Sequence, residues 1–146
     1  MKRNFIYLLP LLLISLASCS KKTPVENIQL VTPTGTFGGY IRLVHTTVAT
    51  GKNDTLTANL SLVLDGQGHF TVTGDTSKLH AGSFGTFSLG YSDDLTFADK
   101  TNLNAVPKKI HLNGDYRYSY DGSVLGLDKN VGDSLSSQYY FTKSSN

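Results

Sequence analysis

From Gly35 onward apolar and polar residues alternate with a period of two, the signature of strands with one buried face. Thr55 to Leu64 shows it most cleanly. Leu56, Ala58, Leu60, Leu62 and Leu64 fall on one face, and Thr57, Asn59 and Ser61 on the other. One dry face and one wet face describe a half-buried antiparallel strand. Ahead of it, Phe37, Ile41 and Leu43 share a face, with Arg42 opposite. Asp65-Gly66-Gln67-Gly68 reads as a tight reversal into a strand over His69 to Thr73. Gly82 to Leu89 is a further strand, in which Gly85 predicts a bulge or a sharp bend. Leu95 and Phe97 mark a short one.

Lys100 to Lys109 is the longest irregular connection. A long alternating run follows, with Ile110, Leu112, Tyr116, Tyr118 and Tyr120 on one face. Asn113-Gly114 either splits that run into a hairpin or kinks a single strand. Asp121-Gly122 turns the chain into Val124 to Leu127, and Gln138 to Thr142 closes the pattern. No stretch of ten residues beyond residue 18 carries a helical stripe. The expectation is all-β, with eight strands, or nine if the hairpin forms. Short turns between sequential strands favour an antiparallel up-and-down barrel, which leaves no open edge. A β-sandwich is the alternative. A small echo links Gly35-Thr36-Phe37-Gly38-Gly39-Tyr40 to Gly82-Ser83-Phe84-Gly85-Thr86-Phe87, too short to establish a repeat.

The first residues break from this pattern. Lys2 and Arg3 precede a mostly apolar stretch from Phe5 to Leu16, about the length of a signal-peptide core and short of the roughly 20 apolar residues a membrane-spanning helix needs. Leu16-Ala17-Ser18-Cys19 follows, holding the only cysteine of the chain. This segment resembles the lipobox of bacterial lipoproteins. The resemblance implies cleavage after residue 18 and acyl chains on Cys19, whose thiolate is a soft nucleophile suited to alkylation. Two or more acyl chains give stable anchoring. The expected organisation is a lipoprotein signal peptide over residues 1–18, a lipidated cysteine and flexible tether over 19–33, and a folded domain over 34–146. Fully stretched, Ser20 to Pro33 would reach about 46 Å. Ser20, where inner-membrane lipoproteins resemble one another in carrying aspartate, implies the outer membrane, facing the periplasm.

Charge removes some functions. The chain has 13 Lys and Arg against 11 Asp and Glu, and Lys2 and Arg3 account for the excess. A balanced domain with no basic block offers nothing to nucleic acid. All acids but Glu26 are aspartates, many beside glycine at predicted turns, where they bond their own backbone. The four histidines, His45, His69, His80 and His111, lack metal-ligand spacing and read as solvated strand-edge residues. No Gly-x-Ser-x-Gly elbow and no nucleophile–base constellation is present, so neither an enzyme, a metal nor a cofactor is expected.

Several short motifs carry a second resemblance. Gly35-Thr36-Phe37 opens the first strand, Asp65-Gly66-Gln67-Gly68-His69-Phe70 forms a central hairpin, Gly114-Asp115-Tyr116 comes late, and Tyr139-Tyr140-Phe141-Thr142-Lys143 ends the last strand. Together they resemble the small lipocalin-like lipoproteins of Gram-negative bacteria, with Phe37 where lipocalins usually have tryptophan. The resemblance implies a lipocalin-like barrel. Tyr116, Tyr118 and Tyr120 would then line the interior with Phe97 and Leu60, an apolar space with a few hydroxyls suited to a small apolar ligand. Ordinary core packing of the same tyrosines is one alternative. Another is a surface that binds an envelope protein or glycan.

Overall fold

The computed structural model describes residues 31–77, 79–101 and 109–145. The expected signal peptide, Cys19 and most of the tether lie outside them. The described chain forms eight strands: β1 (Gly35–Thr47), β2 (Lys52–Leu64), β3 (His69–Gly74), β4 (Ser83–Leu89), β5 (Asp94–Asp99), β6 (Gly114–Tyr120), β7 (Val124–Val131) and β8 (Leu135–Lys143). Each pairs antiparallel with the next, and β8 returns to β1, so the sheet is a closed up-and-down barrel. The sandwich alternative is excluded.

The alternation sets the faces. Ile41 stands between Ala58 of β2 and Tyr139 of β8, and all three point inward. Leu60, Leu62 and Leu64 follow on β2, Phe70 and Val72 on β3, and Leu125 and Leu127 on β7. Pro33 is also buried, so packing takes in the last residue of the expected tether.

The predicted turns hold by aspartate. Asp65 Oδ1 accepts from the backbone N–H of His69 at 2.7 Å and of Gln67 at 2.9 Å. Asp121 Oδ1 accepts from Val124 and Ser123 at 2.7 and 2.8 Å. These backbone donors, His69 first at Asp65 and Val124 first at Asp121, lower both carboxyl pKa values. Gly68 (φ 84°) and Gly122 (φ 97°) supply the left-handed residue each turn needs.

The structure departs from the sequence reading at several places. Asn113-Gly114 makes no hairpin: Gly114 (φ 87°) starts β6, and the strands number eight among the described residues. Ile110 and Leu112 are not in that strand. Ile110 forms an isolated parallel bridge with His80, and Leu112 is buried in the core. The connections before β4 and β6 are thereby tied together, with Ala81 N–H donating to Ile110 O and Ile110 N–H to Leu79 O. Gly85 carries no bulge, since it pairs with Phe70 and Asp99 in unbroken register. It faces inward, where a Cβ would lie 2.9 Å from the Phe70 ring. Leu56 keeps its parity yet is 54% exposed, because β3 is short and pairs with β2 only from Leu60 to Leu64. The sequence echo has no structural counterpart: Phe37 is fully buried, whereas Phe84 points outward.

Candidate functional site

The barrel interior is the first candidate. Leu60, Phe97, Tyr116 and Tyr118 are all buried, and Tyr120 is half-buried against the same core, so the five expected residues do share the interior. Their rings meet edge to face. Phe97 lies 5.1 Å from Phe70 and 5.8 Å from Tyr116, centroid to centroid, and Tyr116 lies 5.6 Å from Tyr139. Phe37 and Tyr120 meet at 6.0 Å. Such contacts place positive ring edges on negative ring faces and add to the gain from burial.

Two interior residues escaped the sequence reading. His80 was expected to be solvated at a strand edge; it is completely buried. Its Nε2 lies 3.1 Å from the Tyr139 hydroxyl, and its Nδ1 bonds the Ala81 carbonyl. A carbonyl only accepts, so Nδ1 carries the proton and Nε2 accepts from Tyr139. Burial is the main cause that pushes the His80 pKa down to about 4, with the Ala81 bond opposing it. Burial likewise raises the pKa of Tyr116 and, more strongly, of Tyr139. No local signal marks His80, since its partner is 59 residues away. Tyr139 follows the parity of Phe141, but Ser137 interrupts the apolar series. Among the described residues, two buried hydroxyls, of Ser83 and Tyr118, have no hydrogen-bond partner.

A second cluster joins Asp99, Thr101 and His111. Asp99 Oδ2 is 2.7 Å from His111 Nδ1, and the Thr101 hydroxyl donates to Asp99 at 2.6 Å. Thr101 Oγ1 is also 3.0 Å from His111 Nδ1, the same nitrogen that meets Asp99. A hydroxyl nucleophile needs the far nitrogen as its base, with the carboxylate on the near one. Here the hydroxyl donates its hydrogen bond to the carboxylate, so the cluster clamps the end of β5 to the approach to β6. Asn113 adds to the clamp by accepting the Asp99 N–H at 3.1 Å. Among the described residues no group of three or more His, Cys, Asp or Glu side chains is placed to hold a metal ion.

The outer wall provides the remaining candidate. Across β1, β8, β7 and β6 the register lines up Tyr40, Tyr140, Gly126 and Ser119. One pair of residues further along, it lines up Arg42, Gln138, Asp128 and Arg117. All eight have outward parity. The Tyr40 and Tyr140 rings stack at 5.8 Å and remain 41% and 48% exposed. Arg42 Nε donates to Gln138 Oε1 at 2.8 Å, and Nη2 donates to the same oxygen. A groove of about 310 Å³ is lined by both tyrosines, Arg42, Ser119, Gly126, Asp128 and Gln138, among others. Asp128 forms no ion pair among the described residues, although Arg117 is its register partner. No protein-family model matches the chain, and a search of curated proteins returns no match either.

Proposed function

We propose that this protein is a lipid-anchored component of the bacterial cell envelope that binds a partner molecule through the outer wall of its barrel and performs no catalysis. The anchor is an acylated Cys19, on the outer membrane and facing the periplasm. The observation that carries the reading is the contrast between the two faces of the sheet. The interior is occupied by interlocked rings, from Phe70 through Phe97 and Tyr116 to Tyr139. The outer wall leaves an aromatic pair and, unpaired among the described residues, the Asp128 carboxylate beside a groove. Exposed aromatics among polar groups are typical of binding surfaces.

Two measurements test this. Radiolabelled palmitate should label the wild-type protein and leave Cys19→Ala unlabelled and released from the membrane fraction; equal labelling defeats the anchor. A photo-crosslinking amino acid at position 140 should capture one defined envelope component in living cells, and the same probe at position 84 should not. Capture at neither position defeats the outer-wall reading.

A second reading places a small apolar ligand inside the barrel, in the resemblance to lipocalin-like lipoproteins. It is favoured by the Tyr118 hydroxyl, which is buried with no partner and would find one in a ligand oxygen. Native mass spectrometry after mild purification is its test. A bound mass that vanishes in Tyr118→Phe supports it, and a bare polypeptide mass refutes it.

A further inference from the structure

We propose that the groove beside Tyr140 holds the ring of a neutral sugar, so that the partner of the outer wall is a glycan. The inference rests on the outer-wall reading and names its ligand class.

A pyranose ring is chemically two-sided. One face presents mainly C–H groups, and the rim carries hydroxyls. A site for it needs an open aromatic face, empty space in front of that face, and both donors and acceptors along one edge. The register supplies these in order. Tyr40 covers one face of the Tyr140 ring. The next position across the wall is Gly126, which has no side chain, and beyond it Ser119 leans its hydroxyl over the glycine, so the wall beside Tyr140 is low and polar. A side chain at Gly126 would push against Ser119 Oγ, 2.8 Å from where its Cβ would stand, and raise the low wall beside the tyrosine. Its φ is not left-handed, so the backbone does not demand glycine at this position.

The polar edge is the adjacent register row. Asp128 is an acceptor-only carboxylate, Arg42 a donor-only guanidinium, and the Gln138 amide offers both. Gln138 Oε1 is already taken by Arg42, which fixes its NH2 group as the free donor. The free edge then reads donor, donor, acceptor from Arg42 through Gln138 to Asp128, and ring hydroxyls, each both donor and acceptor, can meet all three. Charge selects against ionic sugars. An anion would be drawn by Arg42 and repelled by Asp128, and a cation the reverse, so the pair gives no net attraction to either sign, while a neutral ring can use both charges as hydrogen-bond partners. A volume of about 310 Å³ is at the lower end of ligand sites and suits one ring with the rest of the chain outside.

The test uses the full lipidated chain in a zwitterionic detergent free of sugar headgroups. The probes are methyl glycosides of glucose, galactose, mannose and N-acetylglucosamine, read by saturation-transfer NMR. At least one should receive magnetisation on its C–H face and bind with a Kd of about 1 mM, the range open to a ligand of this size. Tyr140→Ala should weaken binding by tenfold or more and Asp128→Asn severalfold, while the distant Phe84→Ala should leave it unchanged. If Tyr140→Ala fails to fold, Asp128→Asn against Phe84→Ala carries the comparison. Binding that is equal in wild type and Asp128→Asn overturns the proposal. No glycoside binding, together with a protein captured by the crosslinker at position 140, overturns the sugar and leaves the outer-wall reading intact. No binding and no capture overturns both.

Discussion

His80 allows a quantitative prediction because its environment tolerates only one protonation state. The neutral ring is fully buried, with Tyr139 donating to Nε2 and Ala81 accepting at Nδ1. Adding a proton puts a charge among aromatic rings and leaves the Tyr139 hydroxyl facing a donor. The folded pKa is about 4, against 6.5 for the free side chain. A folded value below the unfolded one means the unfolded chain binds the proton first. Stability is therefore fully present above about pH 6.5, declines as pH falls, and stops declining below about pH 4. The shift corresponds to about 3 kcal/mol in total, with about 2 kcal/mol already lost by pH 5. His80→Gln isolates the effect. It should be less stable at pH 7 by about 1–3 kcal/mol, from poorer packing and a weakened bond to Tyr139. Its stability should then fall by less than the wild type does between pH 6.5 and 4, so that the two curves converge in acid. Urea unfolding at a series of pH values, followed by near-ultraviolet circular dichroism of the tyrosines, reads both curves. Asp65 and Asp121, with lowered pKa values, lose their stabilisation at more acid pH, as they protonate below about 3.8, and do so in both proteins. Parallel curves for wild type and variant across pH 6.5 to 4 would show that the proton goes elsewhere and that the buried-imidazole account is wrong.

Three further outcomes follow from the packing. Phe97→Ala, which empties a site bordered by the Phe70, Phe87 and Tyr116 rings, should cost about 3–5 kcal/mol in urea unfolding; a loss under 1 kcal/mol would mean that the interior is loosely filled. Gly85→Val should destabilise by at least about 1–3 kcal/mol, because the new Cβ meets the Phe70 ring and the Ala98 carbonyl. A bulge at Gly85 would have absorbed the side chain, so near-neutral unfolding argues against the continuous register. Tyr118→Phe removes a buried hydroxyl without a partner and should leave stability unchanged or raise it by about 1 kcal/mol; a clear loss would reveal a partner for that oxygen.

The barrel was legible because a period of two needs no tertiary information. Leu60, Leu62 and Leu64 declare their face by spacing alone, as do Tyr116 and Tyr118, and the aspartate–glycine turns fix where each strand ends. Parity does not say how far a strand's neighbours reach. Leu56 has the correct phase and is still wet, since β3 starts pairing only at Leu60. Nor does parity show when a chain leaves the sheet. Ile110 and Leu112 continue the rhythm of Tyr116, but Ile110 bridges to His80 and Asn113 ties down Asp99 instead. The groove could not be read from the sequence at all. Arg42 and Gln138 are 96 residues apart, and Gly126 between Leu125 and Leu127 looks like any strand glycine until the register sets it between Tyr140 and Ser119.

The same register separates what folds this protein from what it offers to a partner. Each strand contributes its inward residues to the aromatic interior, and those positions have little freedom to change without cost to stability. The outward residues of β1, β6, β7 and β8 are under no such demand. Among the described residues the Arg42 and Gln138 side chains bond each other across an exposed face, and an exposed polar pair adds little to stability. Asp128 makes no bond that the barrel requires. Gly126 even works against the strand, since glycine weakens a sheet interior and its backbone conformation here is open to other residues. A position whose backbone does not require glycine, set beside an exposed tyrosine and two residues from a carboxylate unpaired among the described residues, is where selection for recognition rather than for folding is expected to show.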